Sequence, residues 1–255
     1  MTSAENVESD VRLWLTQNWD PTADLIEWRG LLADSGWGCP SWPQDWHGRG
    51  LPLTADAIVK KVFSEIGAVG VAAGVSMYLV APTLLEWGND DQKQRFLRPI
   101  LTGEDKWCQL FSEPGAGSDL AGLATRADRD GDEWLVTGQK VWNSGAHKAD
   151  YGILLARTNP ESPKHQGISF FAIPMDQAGI EVRPLRQMNW HASFNEVFLD
   201  GARVRHENLI AEAGQGWRVA LTTLAHERSA VGTPRPRFPL DGGSMVQRAK
   251  KEADE

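Results

Sequence analysis

The stretch Trp107–Gly122, WCQLFSEPGAGSDLAG, marks the point at which the chain changes its pattern. A short apolar run ends at Ser112, and Pro114 then fixes φ and removes a backbone donor. Gly115 and Gly117 follow, and glycine tolerates positive φ and lets the backbone come close to a flat or anionic group. The stretch predicts a strand that ends in a tight turn, and a turn that binds nothing remains an open alternative.

A dinucleotide-binding loop is another alternative for two glycines that are separated by one residue. Such a loop needs a third glycine three residues after the second, followed by a helix. Position 120 is leucine, and residues 123–128 alternate apolar and polar side chains as a strand does. The sequence therefore predicts no Rossmann loop at this turn.

Polar side chains flank the two glycines. The hydroxyls of Ser112 and Ser118 can each donate and accept a hydrogen bond. Glu113 directly precedes Pro114, a position that favours extended or turn backbone, so we interpret it as a turn residue rather than as a second acid.

Before this stretch, helical periodicity dominates the first hundred residues. Apolar residues recur at helical spacing over residues 5–36, 53–68 and 90–101, and Asn89 is placed to cap the last of these helices. The uncharged run Ile66–Leu85 is long enough to cross a bilayer. It contains three glycines and a proline and has no basic flank, so we interpret it as buried helix and expect no membrane span.

After Trp107 the apolar period changes to two. Strands are predicted over residues 125–129, 133–142, 150–157, 167–174 and 195–199. From Gly216 to Val231 the period is helical again, and prolines at 234, 236 and 239 prevent its continuation. Residues 1–106 are thus predicted to form an N-terminal helical domain, 107–212 a middle antiparallel β domain, and 213–255 a shortened C-terminal helical segment with a loose tail. The fold class is α+β multidomain.

Composition excludes several kinds of protein. The 255 residues can bury a sizeable core, and a net charge of −8 without a Lys/Arg cluster argues against nucleic-acid binding. Cys39 and Cys108 form neither a disulfide framework nor a metal-ligand spacing, and no histidine lies at ligand spacing, so no metal is expected. The first ten residues carry no secretory signal pattern. A cytoplasmic location fits these features best.

Four motifs in one order and spacing resemble the acyl-CoA dehydrogenase family. They are SEPGAGSD at 112–119, QKVWNSGAHKAD at 139–150, FNEVFLDGARVRHENLI at 194–210 and GQGWRVALTTLAHERSAVG at 214–232. The resemblance covers roughly Leu13–Val231. It implies an N-terminal helical domain, a middle β-barrel and a C-terminal helical bundle, with FAD bound where barrel and bundle meet. Most of that bundle is expected to be missing from this chain.

The resemblance also implies which residues face the flavin. Trp142 would lie against the isoalloxazine, and the hydroxyl of Ser144 would reach flavin N5, where a donor favours the reduced flavin. From residue types alone, a core indole at position 142 and a turn residue at position 144 remain open alternatives. The implied cofactor-binding residues are Leu110, Phe111, Ser112, Gly117, Ser118, Trp142, Asn143 and Ser144.

Glu227 is the catalytic base that the resemblance implies. It shares a helix face with Leu224 and Val231, and the pattern alone also allows a carboxylate at the edge of a solvated face. One branch of the family, which includes isovaleryl-type and actinobacterial sterol-degrading enzymes, has its glutamate just before an arginine on this helix, as in Glu227-Arg228. Ser118 and Arg228 are the implied substrate contacts.

The implied reaction is α,β-dehydrogenation of an acyl-CoA thioester. Glu227 would remove the α-proton while hydride leaves the β-carbon for FAD, and electrons would pass to an electron-transfer flavoprotein. A homo- or hetero-oligomer with a second acyl-CoA dehydrogenase-like chain would complete the flavin site. A non-catalytic structural subunit and an acyl-CoA oxidase remain alternatives. Small residues at 70 and 72–74 favour branched or ring-bearing acyl groups.

Overall fold

The computed structural model describes residues 4–232, so the prolines at 234, 236 and 239 and the expected loose tail lie outside the described residues. Residues 4–102 are mainly helical, and the strands follow from residue 107 onwards. The helices are α1 (Ala4–Asn18), α2 (Leu25–Ser35), α3 (Thr54–Ile66), α4 (Ala81–Trp87), α5 (Asp90–Thr102) and α6 (Gly216–Gly232).

The uncharged run that was expected to be helical throughout is interrupted. Helix α3 ends at Ile66, Gly67 has φ 78°, and the chain stays non-helical until Gly74, which has φ 106°. A π-helical turn, Ser76–Val80, then leads into α4. Glycine adopts left-handed backbone without the steric cost of a Cβ, which explains why the helix breaks here. Among the described helices, none combines the length and apolarity that a bilayer crossing requires.

Eight strands form one mixed sheet in the order β6-β7-β3-β2-β4-β5-β8, and β1 pairs alongside β4. Two of these strands, β6 and β8, were not predicted, and β7 is longer than expected. The bounds are β1 (Trp107–Leu110), β2 (Arg126–Asp130), β3 (Glu133–Val141), β4 (Tyr151–Arg157), β5 (Ile168–Pro174), β6 (Ile180–Leu185), β7 (Phe194–Arg205) and β8 (Leu209–Ile210).

The expected closed antiparallel barrel needs a correction in two respects. The sheet is open, because the hydrogen-bonded path among the described strands ends at β6 and β8. Two of its pairings, β1 with β4 and β2 with β4, are parallel. One edge of β4 is divided between these two partners, since β1 pairs along residues 151–154 and β2 only at Arg157. The α+β fold class itself is confirmed.

Strand β1 separates two apolar cores. Trp107 and Phe111 belong to a buried cluster that joins the sheet to α4, α5 and α6, whereas Cys108 and Leu110 belong to a cluster within the sheet domain. This is the alternation that a strand buried on both faces produces. The turn that follows β1 is thereby placed beside α6.

Helix α5 begins with a reciprocal cap. The side chain of Asn89 accepts from the Gln92 backbone N–H at 2.9 Å, and the Gln92 side chain accepts from the Asn89 N–H at 3.1 Å. We expect Asn89→Ala to lower the free energy of unfolding by about 1 kcal/mol, because the backbone N–H of Gln92 in the first turn loses its partner. Urea unfolding would measure the loss. Asn89→Ser keeps a capping oxygen and should retain most of the stability, and equal losses in both variants would contradict a capping role.

Candidate active site

A cavity of about 290 Å³ opens between the turn after β1, the end of β3 and helix α6. It collects side chains that are far apart in the sequence. The lining residues are Gln109, Phe111, Ser112, Gly117, Ser118, Leu120, Val141, Trp142, Asn143, Trp217, Leu224 and Glu227.

Backbone hydrogen bonds fix the turn on one side of this cavity. Glu113 and Ala116 exchange two backbone hydrogen bonds of 2.9 and 3.0 Å, and the Val141 N–H donates to the Ser112 carbonyl at 2.9 Å. Neither Gly115 nor Gly117 has positive φ, so left-handed backbone is not the reason for glycine here. A Cβ at either position would meet no atom within 4 Å among the described residues. The two glycines instead leave the backbone uncovered for close approach.

A buried ion pair lies directly behind the turn. The fully buried Lys140 donates to Oε1 of Glu113 at 2.8 Å and to the carbonyl of Phe111 at 3.1 Å. Glu113 also accepts from the backbone N–H groups of Ala124 at 2.7 Å and Thr125 at 3.0 Å. The expectation that Glu113 is only a turn residue was therefore incomplete, because its carboxylate joins β1, β3 and the segment before β2.

Each member of this pair favours the charged form of the other, against the cost of burial. Burial lowers the pKa of Lys140 to about 8, although the Glu113 charge acts in the opposite direction. Burial also disfavours ionisation of Glu113, but the charge of Lys140 and the donated hydrogen bonds outweigh it and hold the pKa of Glu113 below its usual value. The turn is thus anchored by the ion pair between its own Glu113 and Lys140 of β3.

Trp142 presents its ring outside the core. The side chain is 64% exposed and meets Phe194 edge to face, with ring centroids 6.0 Å apart. Its φ of 64° lies in the left-handed region, which is unusual for a bulky residue and tends to occur at functional sites. The alternative of a core indole at this position is therefore wrong.

Asn143 is buried at the cavity wall and held from both sides. Its Nδ2 donates to the Gln109 carbonyl at 2.8 Å, and its backbone carbonyl accepts from Nδ2 of Asn195 at 2.8 Å. Its Oδ1 has no hydrogen-bond partner among the described residues, although the residue is 2% exposed. A buried acceptor without a partner is costly, so this atom is suited to accept from an N–H of a bound ligand.

Helix α6 brings Glu227 to the opposite wall. Trp217, Leu224 and Glu227 are spaced by seven and three residues, which places them on one helix face, and all three line the cavity. The Glu227 side chain is half-buried, and its Oε2 lies 3.5 Å from Nε2 of Gln109. Glu227 is the only residue with an ionisable side chain among the described lining residues. A carboxylate in this setting can take a proton from a ligand in the cavity.

Three of the implied site residues lie apart from this cavity wall. Leu110 is fully buried in the sheet core because its strand position alternates with that of Phe111. Ser144 and Arg228 are exposed and are absent from the described lining. The structure therefore brings Phe111, Ser112, Gly117, Ser118, Trp142, Asn143 and Glu227 together and leaves these three outside.

Sequence reasoning missed two polar residues that shape the site. Gln109 occupies a position between Trp107 and Phe111 where the strand pattern calls for an apolar side chain. Lys140 similarly interrupts a strand at an inward position beside Val141. A polar residue inside an apolar row is the signal that could have found both, although the partner of each cannot be read from the pattern.

Comparison with known proteins agrees with this architecture. The models of the acyl-CoA dehydrogenase N-terminal domain and middle domain match residues 3–104 and 108–202. The chain is 48% identical over 204 residues to acyl-CoA dehydrogenase FadE34 of Mycobacterium tuberculosis, which covers 79% of this chain and 28% of that protein. It is 38% identical over 280 residues to acyl-CoA dehydrogenase IpdE1 of Mycolicibacterium smegmatis, which covers 98% of this chain and 71% of that protein.

A solved structure shows the same fold. The Tcur3481-Tcur3483 steroid ACAD superimposes with a TM-score of 0.67 and 31% identity, over 88% of this chain and 61% of that chain. The chain spans 28% and 52% of the length of two of its mycobacterial relatives. With both domain models matched in order, and with IpdE1 matched over more than two thirds of its length, the chain belongs to the acyl-CoA dehydrogenase family.

Proposed function

We propose that this chain is a FAD-dependent acyl-CoA dehydrogenase subunit that converts an acyl-CoA thioester into the trans-2-enoyl-CoA. The observation that carries the proposal is the position of Glu227, which shares one cavity with Ser112, Ser118 and Trp142. These are residues from separate motifs, and the fold gathers them within one site. A purely structural subunit has no need of an ionisable side chain at that position, so the catalytic alternative is favoured over the non-catalytic one.

The residues on the sheet side fit a flavin. Trp142 offers an exposed aromatic face, Asn143 offers an acceptor without a partner, and Gly117 leaves the backbone open. A flat ring system with N–H donors on its edge satisfies all three features. When bound, FAD supplies the acceptor for the hydride that leaves the β-carbon.

The chain's own residues would carry out the remaining chemistry. The carboxylate of Glu227 takes the α-proton of the thioester as a general base. The apolar side chains of Phe111, Trp217 and Leu224 line the same space and reduce the access of water to it. The hydroxyls of Ser112 and Ser118 are available to orient a polar ligand on the opposite side.

Relatives suggest the substrate class and the partners. The Tcur3481-Tcur3483 protein is a steroid ACAD made of two unlike chains. We propose by analogy that this chain takes ring-bearing acyl groups, works with a second acyl-CoA dehydrogenase-like chain, and passes electrons to an electron-transfer flavoprotein. The small residues between α3 and α4 are absent from the described lining of the Glu227 cavity, and Gly70, Ala72 and Ala73 line a separate cavity, so the proposed acyl width rests on the relatives alone.

Dye-coupled oxidation tests this proposal. The chain would be purified alone and after co-expression with a second acyl-CoA dehydrogenase-like chain, loaded with FAD, and given acyl-CoA thioesters of rising width. We expect a yellow protein, dye reduction that depends on acyl-CoA, and a product that has lost two hydrogen atoms by mass spectrometry. Absence of bound flavin and of dye reduction in every pairing would contradict the proposal.

A further inference from the structure

Gln109 is a polar side chain in an otherwise apolar row of β1. This row faces the buried cluster that the sheet shares with helix α6. The neighbours of Gln109 at alternate positions, Trp107 and Phe111, are 4% and 3% exposed and pack into the cluster shared with α6. Gln109 is half-buried and its backbone pairs with Ile153 of β4. An amide at such a position loses contact with water and normally needs a hydrogen-bond partner.

The partner of this amide is the carboxylate on α6. Nε2 of Gln109 lies 3.5 Å from Oε2 of Glu227, a long contact of the kind that tightens when a ligand closes a site. Of the two polar groups of the Gln109 amide, only the N–H can donate to a carboxylate oxygen, so the amide engages Oε2 of Glu227 and leaves Oε1 free to take a proton.

A chain of buried amides holds Gln109 in this position. Asn195 is fully buried and donates to the Asn143 carbonyl at 2.8 Å, and Asn143 donates to the Gln109 carbonyl at 2.8 Å. Three strand segments, from β7, the end of β3 and β1, are thereby tied together below the base. Such support fixes the donor better than a surface side chain could be fixed.

We propose that Gln109 is a positioning residue for the base: its amide fixes one oxygen of the Glu227 carboxylate so that the other faces the α-carbon of the bound thioester. The inference rests on the proposed function. A half-buried glutamate has several rotamers, and a fixed donor selects one of them. Asn143 supports the arrangement through the Gln109 backbone.

Two variants test the donor. Gln109→Met keeps the length of the side chain without polar atoms, and Gln109→Glu keeps its shape but places a second carboxylate beside Glu227. We expect Gln109→Met to lower kcat by roughly 10- to 100-fold, the loss that follows from removing a hydrogen bond to a charged group, with little change in KM or Tm. Gln109→Glu should lose at least as much activity, because repulsion between two carboxylates replaces the donated hydrogen bond. A role in packing alone would leave kcat of Gln109→Met unchanged.

Gln139 provides a matched control. Its Nε2 also donates to a carboxylate, that of Glu196 on the neighbouring strand, but neither residue is in the described cavity lining. Gln139→Met should therefore keep the wild-type kcat. An equal loss of kcat in the Gln139 and Gln109 variants would overturn the inference, because the effect would not depend on the contact with Glu227.

Nuclear magnetic resonance of the side-chain amides separates this inference from the proposed function. The Gln109 amide signal, identified by its loss in Gln109→Met, should shift in Glu227→Gln and stay in place in Gln139→Met. An unmoved signal would show that the contact is absent. A wild type without turnover would overturn the proposed function and the positioning role together, whereas an active wild type with an equally active Gln109→Met variant would overturn the positioning role alone.

Discussion

Glu227→Gln should lower the rate of acyl-CoA-dependent dye reduction by about 10²- to 10⁴-fold. The amide keeps the size of the side chain at the cavity wall but cannot accept the α-proton. FAD affinity should stay unchanged, because the residues proposed to face the cofactor, Trp142 and Asn143, line the sheet side of the cavity and not helix α6. Steady-state kinetics and a flavin-binding titration on the same preparation would measure both quantities.

Glu212 supplies the matched control for this substitution. It is an exposed glutamate just before α6 and is not in the described cavity lining. Glu212→Gln removes the same charge from the chain and should retain the wild-type rate. Comparable losses of rate in both variants would mean that the rate falls because a negative charge is lost, and not because the base is lost.

Lys140→Met should be the most destabilising of the substitutions considered. It leaves the Glu113 carboxylate buried with only two backbone donors, and loss of one partner of a buried pair costs about 3–5 kcal/mol. That is a large part of the 5–15 kcal/mol by which domains are typically stable. Urea unfolding followed by circular dichroism would measure the loss.

Two further variants identify the cause. The double variant Glu113→Gln/Lys140→Met contains no unpaired charge and should recover much of the lost stability. Lys164→Met breaks the exposed pair with Asp119 and should leave the unfolding midpoint almost unchanged. If the double variant were no more stable than Lys140→Met, the loss of stability would come mainly from packing around the lysine stem and not from the unpaired Glu113 carboxylate.

Acid unfolding offers an independent check on the same pair. The folded-state pKa of Glu113 lies below the unfolded value of about 4.5. The contribution of the ionised carboxylate to the free energy of unfolding is therefore fully present above that pH. It is lost as the pH falls through the folded value, because the unfolded state then binds more protons. The double variant Glu113→Gln/Lys140→Met should lack this part of the loss of stability at low pH.

Local patterns predicted the helices and most of the strands. The caps at Asn89 and the change of period at Trp107 are encoded within a few residues, and the structure has both. Strand β6 was missed because IEVRPL carries charges and a proline and buries no continuous apolar row. The break after Ile66 depends on how Gly67 and Gly74 use positive φ, which composition does not reveal.

Contacts between distant segments were the part that sequence could not supply. The spacing on α6 placed Glu227 on an apolar face, but its meeting with Gln109 depends on how the helix docks against β1. Pairing of Lys140 with Glu113 likewise depends on strand register. The sheet is open because β6 and β8 each pair with one neighbour among the described strands, and no single strand encodes that outcome.

Exchange of the α-proton in D₂O tests the role of Glu227 most directly. The substrate would be an acyl-CoA analogue with sulfur in place of the β-carbon, so that hydride transfer is impossible and only the base is observed. We predict that the FAD-loaded wild type incorporates deuterium at the α-carbon, detected by mass spectrometry, and that Glu227→Gln does not. Equal exchange by both proteins would contradict the assignment of Glu227 as the base.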